Sequence, residues 1–167
     1  MRIGRERRWA QRQIRTLRLP DLPTLDDAVQ AVADMRGRPI LVTHRRLPAA
    51  VSGFCAQFDD RDVIVVDETA SPLNRILIAS HELAHLWRGH RPDDGSIFDT
   101  ATARALLPGM NPDVVRIVLM GRSHYGPPLE REAELLATQL VSLLDLGHSP
   151  AAITEIASAL TNRRTGV

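Results

Sequence analysis

Residues 71–90 read SPLNRILIASHELAHLWRGH, and this stretch predicts the central helix of the fold. Ser71 can cap a helix, Pro72 suits the first helical position, and Gly89 is a common helix stop. Between them, apolar residues recur at helical spacing. The pattern therefore predicts an amphipathic helix of about 17 residues, with the letters HELAH (81–85) in its last turns.

The HELAH letters have the spacing that a zinc site requires. His81 and His85 are four residues apart, so they project from one side of a helix. Two neutral imidazoles can then share a zinc ion at roughly 2.0–2.1 Å. Zinc lowers the pKa of a bound water to about 7, and Glu82 lies where it can take the proton of that water. H-E-x-x-H also occurs by chance on solvent-facing helices, but the apolar flanks here favour a metal pocket.

A catalytic zinc site needs a third protein ligand beside an open position. The metzincin pattern places a glycine three residues and a histidine six residues after the second histidine, but this chain has Arg88 and Arg91 there. His90 is one residue short and follows the predicted helix stop. The third ligand is therefore expected from another element.

A second strong helix is predicted at 129–147, and its start is acidic. Glu130 and Glu134 share one face of this helix, whereas Glu132 is turned roughly 160° from each of them. One glutamate of the first pair can ligate the metal while the other orients a histidine. Ala133 and Ala137 are small enough to let this helix pack closely against the HELAH helix.

HELAHLWRGH followed by EREAELLATQL resembles the ImmA/IrrE family of zinc metallopeptidases, over residues 25–145. GRSHYGPPLEREAELLAT looks especially like actinobacterial members described as the toxin-like component of paired systems. The resemblance implies a gluzincin-like site in a minimal zincin-like core. His81, His85 and Glu130 would bind Zn²⁺, and Glu82 would be the base. It also implies cleavage of a helix-turn-helix repressor or antitoxin partner.

Tyr125 and His124 lie in the predicted loop before the second helix. A tyrosine hydroxyl there can stabilise the oxyanion of a tetrahedral intermediate, so Tyr125 is a candidate catalytic residue. The alternative is a tyrosine that only packs in a surface loop. The run VIVVD, just before the HELAH helix, is a candidate edge strand for an extended substrate.

Composition limits the class of protein. The 167 residues are 44% hydrophobic and 25% charged, which is typical of one soluble globular domain. No run approaches the roughly 20 apolar residues of a membrane span, so no membrane partner is expected. Cys55 is the single cysteine, which excludes an internal disulfide and indicates a reducing, cytoplasmic location.

The first 20 residues are predicted to form a basic arm, separated by LPDLPT from a domain at 21–167. Residues 2–18 contain seven arginines and one acid, Glu6. Such an arm can bind nucleic acid. Alternatively, the arm is a helix that docks on the domain through three apolar residues at i, i+4 and i+7: Ala10, Ile14 and Leu17.

The remaining patterns predict an α+β fold in which a small antiparallel sheet packs on helices. They indicate a helix at 25–36, a strand at 39–44, a β-hairpin at 51–68 and a further helix at 111–121. The predicted function is metallopeptidase activity on a specific intracellular protein. The alternative is a non-catalytic regulator that acts by binding a partner or nucleic acid and has a structural zinc. A four-ligand site would favour this alternative.

Overall fold

The computed structural model describes residues 2–47, 51–58, 60–91, 120–121 and 125–146. Within these ranges, no helix combines the length and apolar character that a membrane crossing requires. The fold is α+β. Its elements in chain order are α1 (Arg2–Arg15), α2 (Leu25–Arg36), β1 (Ile40–Arg45), β2 (Gly53–Gln57), β3 (Asp62–Asp67), α3 (Pro72–Arg88), β4 (Met120–Gly121) and α4 (Pro127–Val141).

The sheet has the strand order β1-β3-β2-β4 and is mixed. β2 pairs antiparallel with β3 and with β4, so the predicted hairpin is confirmed. β1 instead runs parallel to β3, and the prediction of a purely antiparallel sheet is wrong at this strand. The apolar run of β3 is buried from Val63 to Val66, as expected of a strand with neighbours on both sides. VIVVD is therefore a central strand and not the predicted substrate-binding edge.

Local capping signals set the ends of α3 where the sequence predicts them. The Ser71 hydroxyl accepts a hydrogen bond from the backbone N–H of Asn74, and Pro72 is the first helical residue. At the other end, Gly89 adopts a left-handed conformation with φ of 64°. The backbone N–H of His90 then donates to the carbonyl oxygen of His85, 3.0 Å away. This turn folds the chain back against the last turn of α3.

The basic arm is a helix that docks on the domain. Ala10, Ile14 and Leu17 are buried, which confirms the docking interpretation of their spacing. α1 packs on α4, and Arg131 of α4 forms an ion pair with Glu6. The other arginines of this segment whose side chains are described are exposed: Arg5, Arg7, Arg8, Arg12, Arg15 and Arg18. Binding of nucleic acid by this surface stays a prediction.

Two predicted elements differ from the structure or lie outside it. The helix predicted at 111–121 falls outside the described residues, except for its last two positions. Those two, Met120 and Gly121, form β4 beside β2. α4 begins at Pro127 and ends at Val141, so it begins and ends earlier than predicted.

A buried ion pair ties the end of α3 to the sheet. Arg36, the last residue of α2, places its Nε 2.6 Å from Oδ2 of the fully buried Asp62. Its Nη1 donates to the carbonyl oxygen of Leu86, also at 2.6 Å. Leu86 is in the last turn of α3, where carbonyl groups lack partners within the helix. The guanidinium therefore holds together α2, β3 and the HELAH helix.

Asp62→Ala is expected to lower the free energy of unfolding by about 3–5 kcal/mol, because it leaves the partly buried Arg36 without its carboxylate. The measurement is urea unfolding of the full chain. Asp60→Ala is the matched control, since Asp60 lies two residues away, is exposed and pairs only with its neighbour Arg61 among the described residues. Equal unfolding midpoints for the two variants would refute the role assigned to Asp62.

Candidate metal centre

Three of the predicted ligands meet where α3 crosses α4. The Nε2 atoms of His81 and His85 are 3.0 Å apart. Glu130 from the first turn of α4 places Oε2 3.3 Å from Nε2 of His81 and Oε1 3.8 Å from Nε2 of His85. One ligand atom from each residue lies within 4.8 Å of the other two. These residues can therefore hold a metal ion together.

The separations within this group suit a bound metal ion. Ligand atoms at 2.0–2.1 Å from a tetrahedral ion lie roughly 3.3 Å from one another. The two Nε2 atoms are 3.0 Å apart, and the two carboxylate oxygens of Glu130 lie 3.3 Å from His81 and 3.8 Å from His85. Oε1 of Glu130 is buried and has no hydrogen-bond partner among the described residues. A buried carboxylate oxygen without a partner is costly unless a cation or a water satisfies it.

Glu130 and Glu134 have different positions in the structure. Glu130 is at the start of α4, beside the histidines, whereas Glu134 is exposed one turn later. Ala84 of α3 and Ala133 of α4 are both buried at the crossing. Because neither alanine side chain extends past Cβ, the two helices approach closely, as predicted. Of the two glutamates left open in the sequence, Glu130 belongs to the group that could hold a metal ion and Glu134 does not.

Glu82 is almost fully buried between α3 and β2. Its Oε2 lies 3.5 Å from Sγ of Cys55, in hydrogen-bond range of the thiol. β2 can approach this closely because it begins at Gly53, where a Cβ would lie 2.3 Å from a side-chain carbon of Ile78. Burial, followed by the charge of Glu82, raises the pKa of the Cys55 thiol well above its usual value. Cys55 therefore stays protonated and donates to the carboxylate.

Tyr125 packs against His85. Its ring is buried and stacks on the His85 imidazole, with centroids 3.7 Å apart and planes 13° from parallel. Its hydroxyl is hydrogen-bonded with the Cys55 thiol, and burial raises the pKa of the phenol. The tyrosine is thus at the site, as predicted, while its role in stabilising an oxyanion stays a prediction. His124 lies outside the described residues.

Two residues that the sequence reasoning set aside are also in the cluster. Nδ1 of His90 lies 3.0 Å from Nδ1 of His85, and Nε2 of His90 lies 3.8 Å from Oε2 of Glu132. Arg88 donates from Nε to the other oxygen of Glu132. Burial lowers the pKa of His90, an effect that the charge of Glu132 opposes.

Gly89 is the feature of the sequence that could have indicated His90, because a left-handed turn there reverses the chain and brings His90 back against α3. For Glu132 the helical angle to Glu130 and Glu134 was the only signal, and it gave no reason to place Glu132 near the histidines. It lies at the second edge of the buried face of α4, opposite Glu130, and this edge faces the end of α3.

The chain matches no protein-family model, no curated protein and no solved structure. Two histidines and the Glu130 carboxylate can hold a metal ion. The buried Glu82 directly follows the first of these histidines in the chain.

Proposed function

We propose that this protein is a zinc-dependent metallopeptidase of the ImmA/IrrE type, with a zincin-like core. The observation that carries the proposal is the convergence of His81, His85 and Glu130 next to the buried Glu82. A catalytic zinc site has three protein ligands and one open position. The group found within the described residues has three, whereas a structural zinc site normally has four. This difference favours catalysis over the alternative of a purely structural zinc.

The ligand residues have separate tasks in this proposal. His81 and His85 would each present the lone pair of Nε2, and Glu130 would present a carboxylate oxygen. A zinc ion bound there supplies Lewis acidity for the carbonyl group and for water. The two imidazoles are neutral donors, so the carboxylate is the only anionic ligand of the three.

Glu82 is the proposed general base. Water adds to the carbonyl carbon while the Glu82 carboxylate takes one of its protons. The glutamic acid then gives this proton to the amine nitrogen as the C–N bond breaks. The Cys55 thiol donates to Oε2 of Glu82 and so fixes the plane of the carboxylate.

Tyr125 is the proposed second catalytic residue. It would donate its hydroxyl to the oxyanion that forms when water adds to the carbonyl group. In the structure this hydroxyl is hydrogen-bonded with Cys55, so donation to substrate requires an exchange of partners. Its ring also holds the His85 imidazole in place by stacking.

The proposed substrate is a helix-turn-helix repressor or antitoxin in the cytoplasm. This proposal follows from the resemblance of HELAHLWRGH and EREAELLATQL to the family. The single buried Cys55 suits a reducing compartment.

Metal removal tests the proposed function. The protein is incubated with a candidate repressor, with and without a strong chelator, and intact substrate is followed by mass spectrometry. Cleavage is expected to stop in the chelator and to return when about one equivalent of zinc per chain is added, because a single site is proposed. Cleavage that continues in fully metal-free protein would exclude a metallopeptidase. Stoichiometric zinc without cleavage of any partner would support the non-catalytic regulator instead.

A further inference from the structure

His90 is buried directly behind one of the proposed ligands. The turn at Gly89 brings its imidazole back to the side of His85 that faces away from His81 and Glu130. Each His85 ring nitrogen therefore has a different neighbour. Nε2 faces the metal-binding group, and Nδ1 faces Nδ1 of His90 at 3.0 Å.

The contact between the two Nδ1 atoms needs one hydrogen. If His85 carries it, His85 donates from Nδ1 and keeps a lone pair on Nε2 for the metal. His90 then accepts at Nδ1 and carries its own hydrogen on Nε2. That N–H points towards Oε2 of Glu132, 3.8 Å away.

The opposite placement of the hydrogen is unfavourable for both His90 and His85. If His90 carried the Nδ1 hydrogen, its Nε2 lone pair would face the Glu132 carboxylate. His85 would then carry its hydrogen on Nε2, where it could not bind a metal. The negative charge of Glu132 therefore selects one direction of hydrogen bonding along the chain of three residues.

We propose that Glu132 and His90 are positioning residues that hold His85 in its metal-binding tautomer. The inference rests on the metal site proposed above and not on peptidase activity. Arg88 supports the arrangement from outside by donating to the second oxygen of Glu132, which keeps the carboxylate directed towards His90. Outer partners of this kind commonly set the orientation and basicity of a ligating histidine.

The tautomer can be measured directly in the full chain without metal. Long-range proton–nitrogen correlation spectra of ¹⁵N-histidine-labelled protein at pH 8 distinguish hydrogen on Nδ1 from hydrogen on Nε2. We expect wild-type His85 to carry its hydrogen on Nδ1. In His90→Leu the signals of His85 should shift towards the Nε2–H form, because the acceptor is gone. Hydrogen on Nε2 of His85 in the wild-type protein would overturn the inference without reference to any variant.

Zinc affinity gives a second readout, measured by competition with a chromophoric chelator. His90→Leu is expected to weaken binding by about 10–100-fold. His90→Asn, which can offer a carbonyl oxygen to Nδ1–H of His85, should recover part of the loss, and Glu132→Gln should show a smaller decrease. His44→Ala is the control, since His44 is exposed on β1.

The outcomes separate this inference from the proposed function. If the wild-type protein binds zinc and His90→Leu binds it within twofold as tightly, His90 is not a positioning residue and the metal site stands. If the wild-type protein binds no zinc, the proposed function fails, and the positioning role fails with it. Weaker zinc binding by His90→Leu in a protein that cleaves no substrate would still support the positioning role.

Discussion

Glu82→Gln is expected to lower the rate of peptide cleavage by about 10²–10⁴-fold while zinc content stays near one per chain. Glutamine has nearly the shape of glutamate but cannot accept a proton from water at neutral pH. Oε2 of Glu82 contacts Cys55, and an amide oxygen can still accept from that thiol. The packing of α3 on β2 should therefore persist, and the loss should appear in chemistry rather than in folding.

Two measurements isolate the effect of Glu82→Gln. Single-turnover cleavage of the repressor reports the chemical step, and metal analysis after dialysis reports the zinc content. Glu134→Gln is the matched control, because Glu134 is an exposed glutamate on α4, which packs against α3. If Glu82→Gln cleaves within tenfold of the wild-type rate, Glu82 is not the general base. Loss of zinc in this variant would instead assign Glu82 a role in holding the metal.

Glu130→Ala is expected to weaken zinc binding by more than about 100-fold, beyond the 10–100-fold loss typical of an outer partner. It removes the only carboxylate of the metal-binding group and leaves two neutral imidazoles. Glu134→Ala is expected to bind zinc like the wild-type protein. Both changes remove a glutamate from the same helix, so a general effect on α4 would appear in both variants.

The comparison of Glu130→Ala with Glu134→Ala has a clear contrary result. Loss of zinc in Glu134→Ala with retention in Glu130→Ala would mean that α4 is rotated relative to the arrangement described here. Equal retention of zinc by both variants would mean that neither glutamate is a metal ligand. Thermal unfolding of the metal-free variants should be similar, because among the described residues the Glu130 side chain forms ion-pair contacts only with His81 and His85.

Local patterns were sufficient to predict the bounds of α2 and α3. Thr24 and Asp27 form a capping box at the start of α2, and Gly37 ends it in a left-handed conformation. Ser71 and Gly89 do the same for α3, so the prediction of its bounds is confirmed. These interactions join residues three to five positions apart, and such short-range contacts can be identified from the order of residues alone.

The relation of His81 to His85 was predictable for the same reason. Two residues four apart on one helix have their separation set by the helix itself. The docking face of α1 follows the same periodicity, with Ala10 and Ile14 both buried. In each case one element determines the geometry, and the amino-acid sequence was enough to specify it.

The remaining features depend on how different elements meet. The parallel pairing of β1 with β3 joins strands that are separated in the chain by β2. The approach of α4 to α3 brings Glu130 to the histidines and Glu132 to His90, while Glu134 stays exposed. The contact of Cys55 with Glu82 likewise needs β2 to lie against α3.

No local pattern contains the crossing position of two helices or the order of strands in a sheet. These are set by the total burial of apolar surface and by steric fit over the whole domain. The sequence therefore determined the positions of His81, Glu82 and His85 on one helix, and the bounds of that helix. Only the tertiary structure decided which carboxylate completes the group and which carboxylate lies beside His90, because these contacts join residues that the chain order leaves far apart.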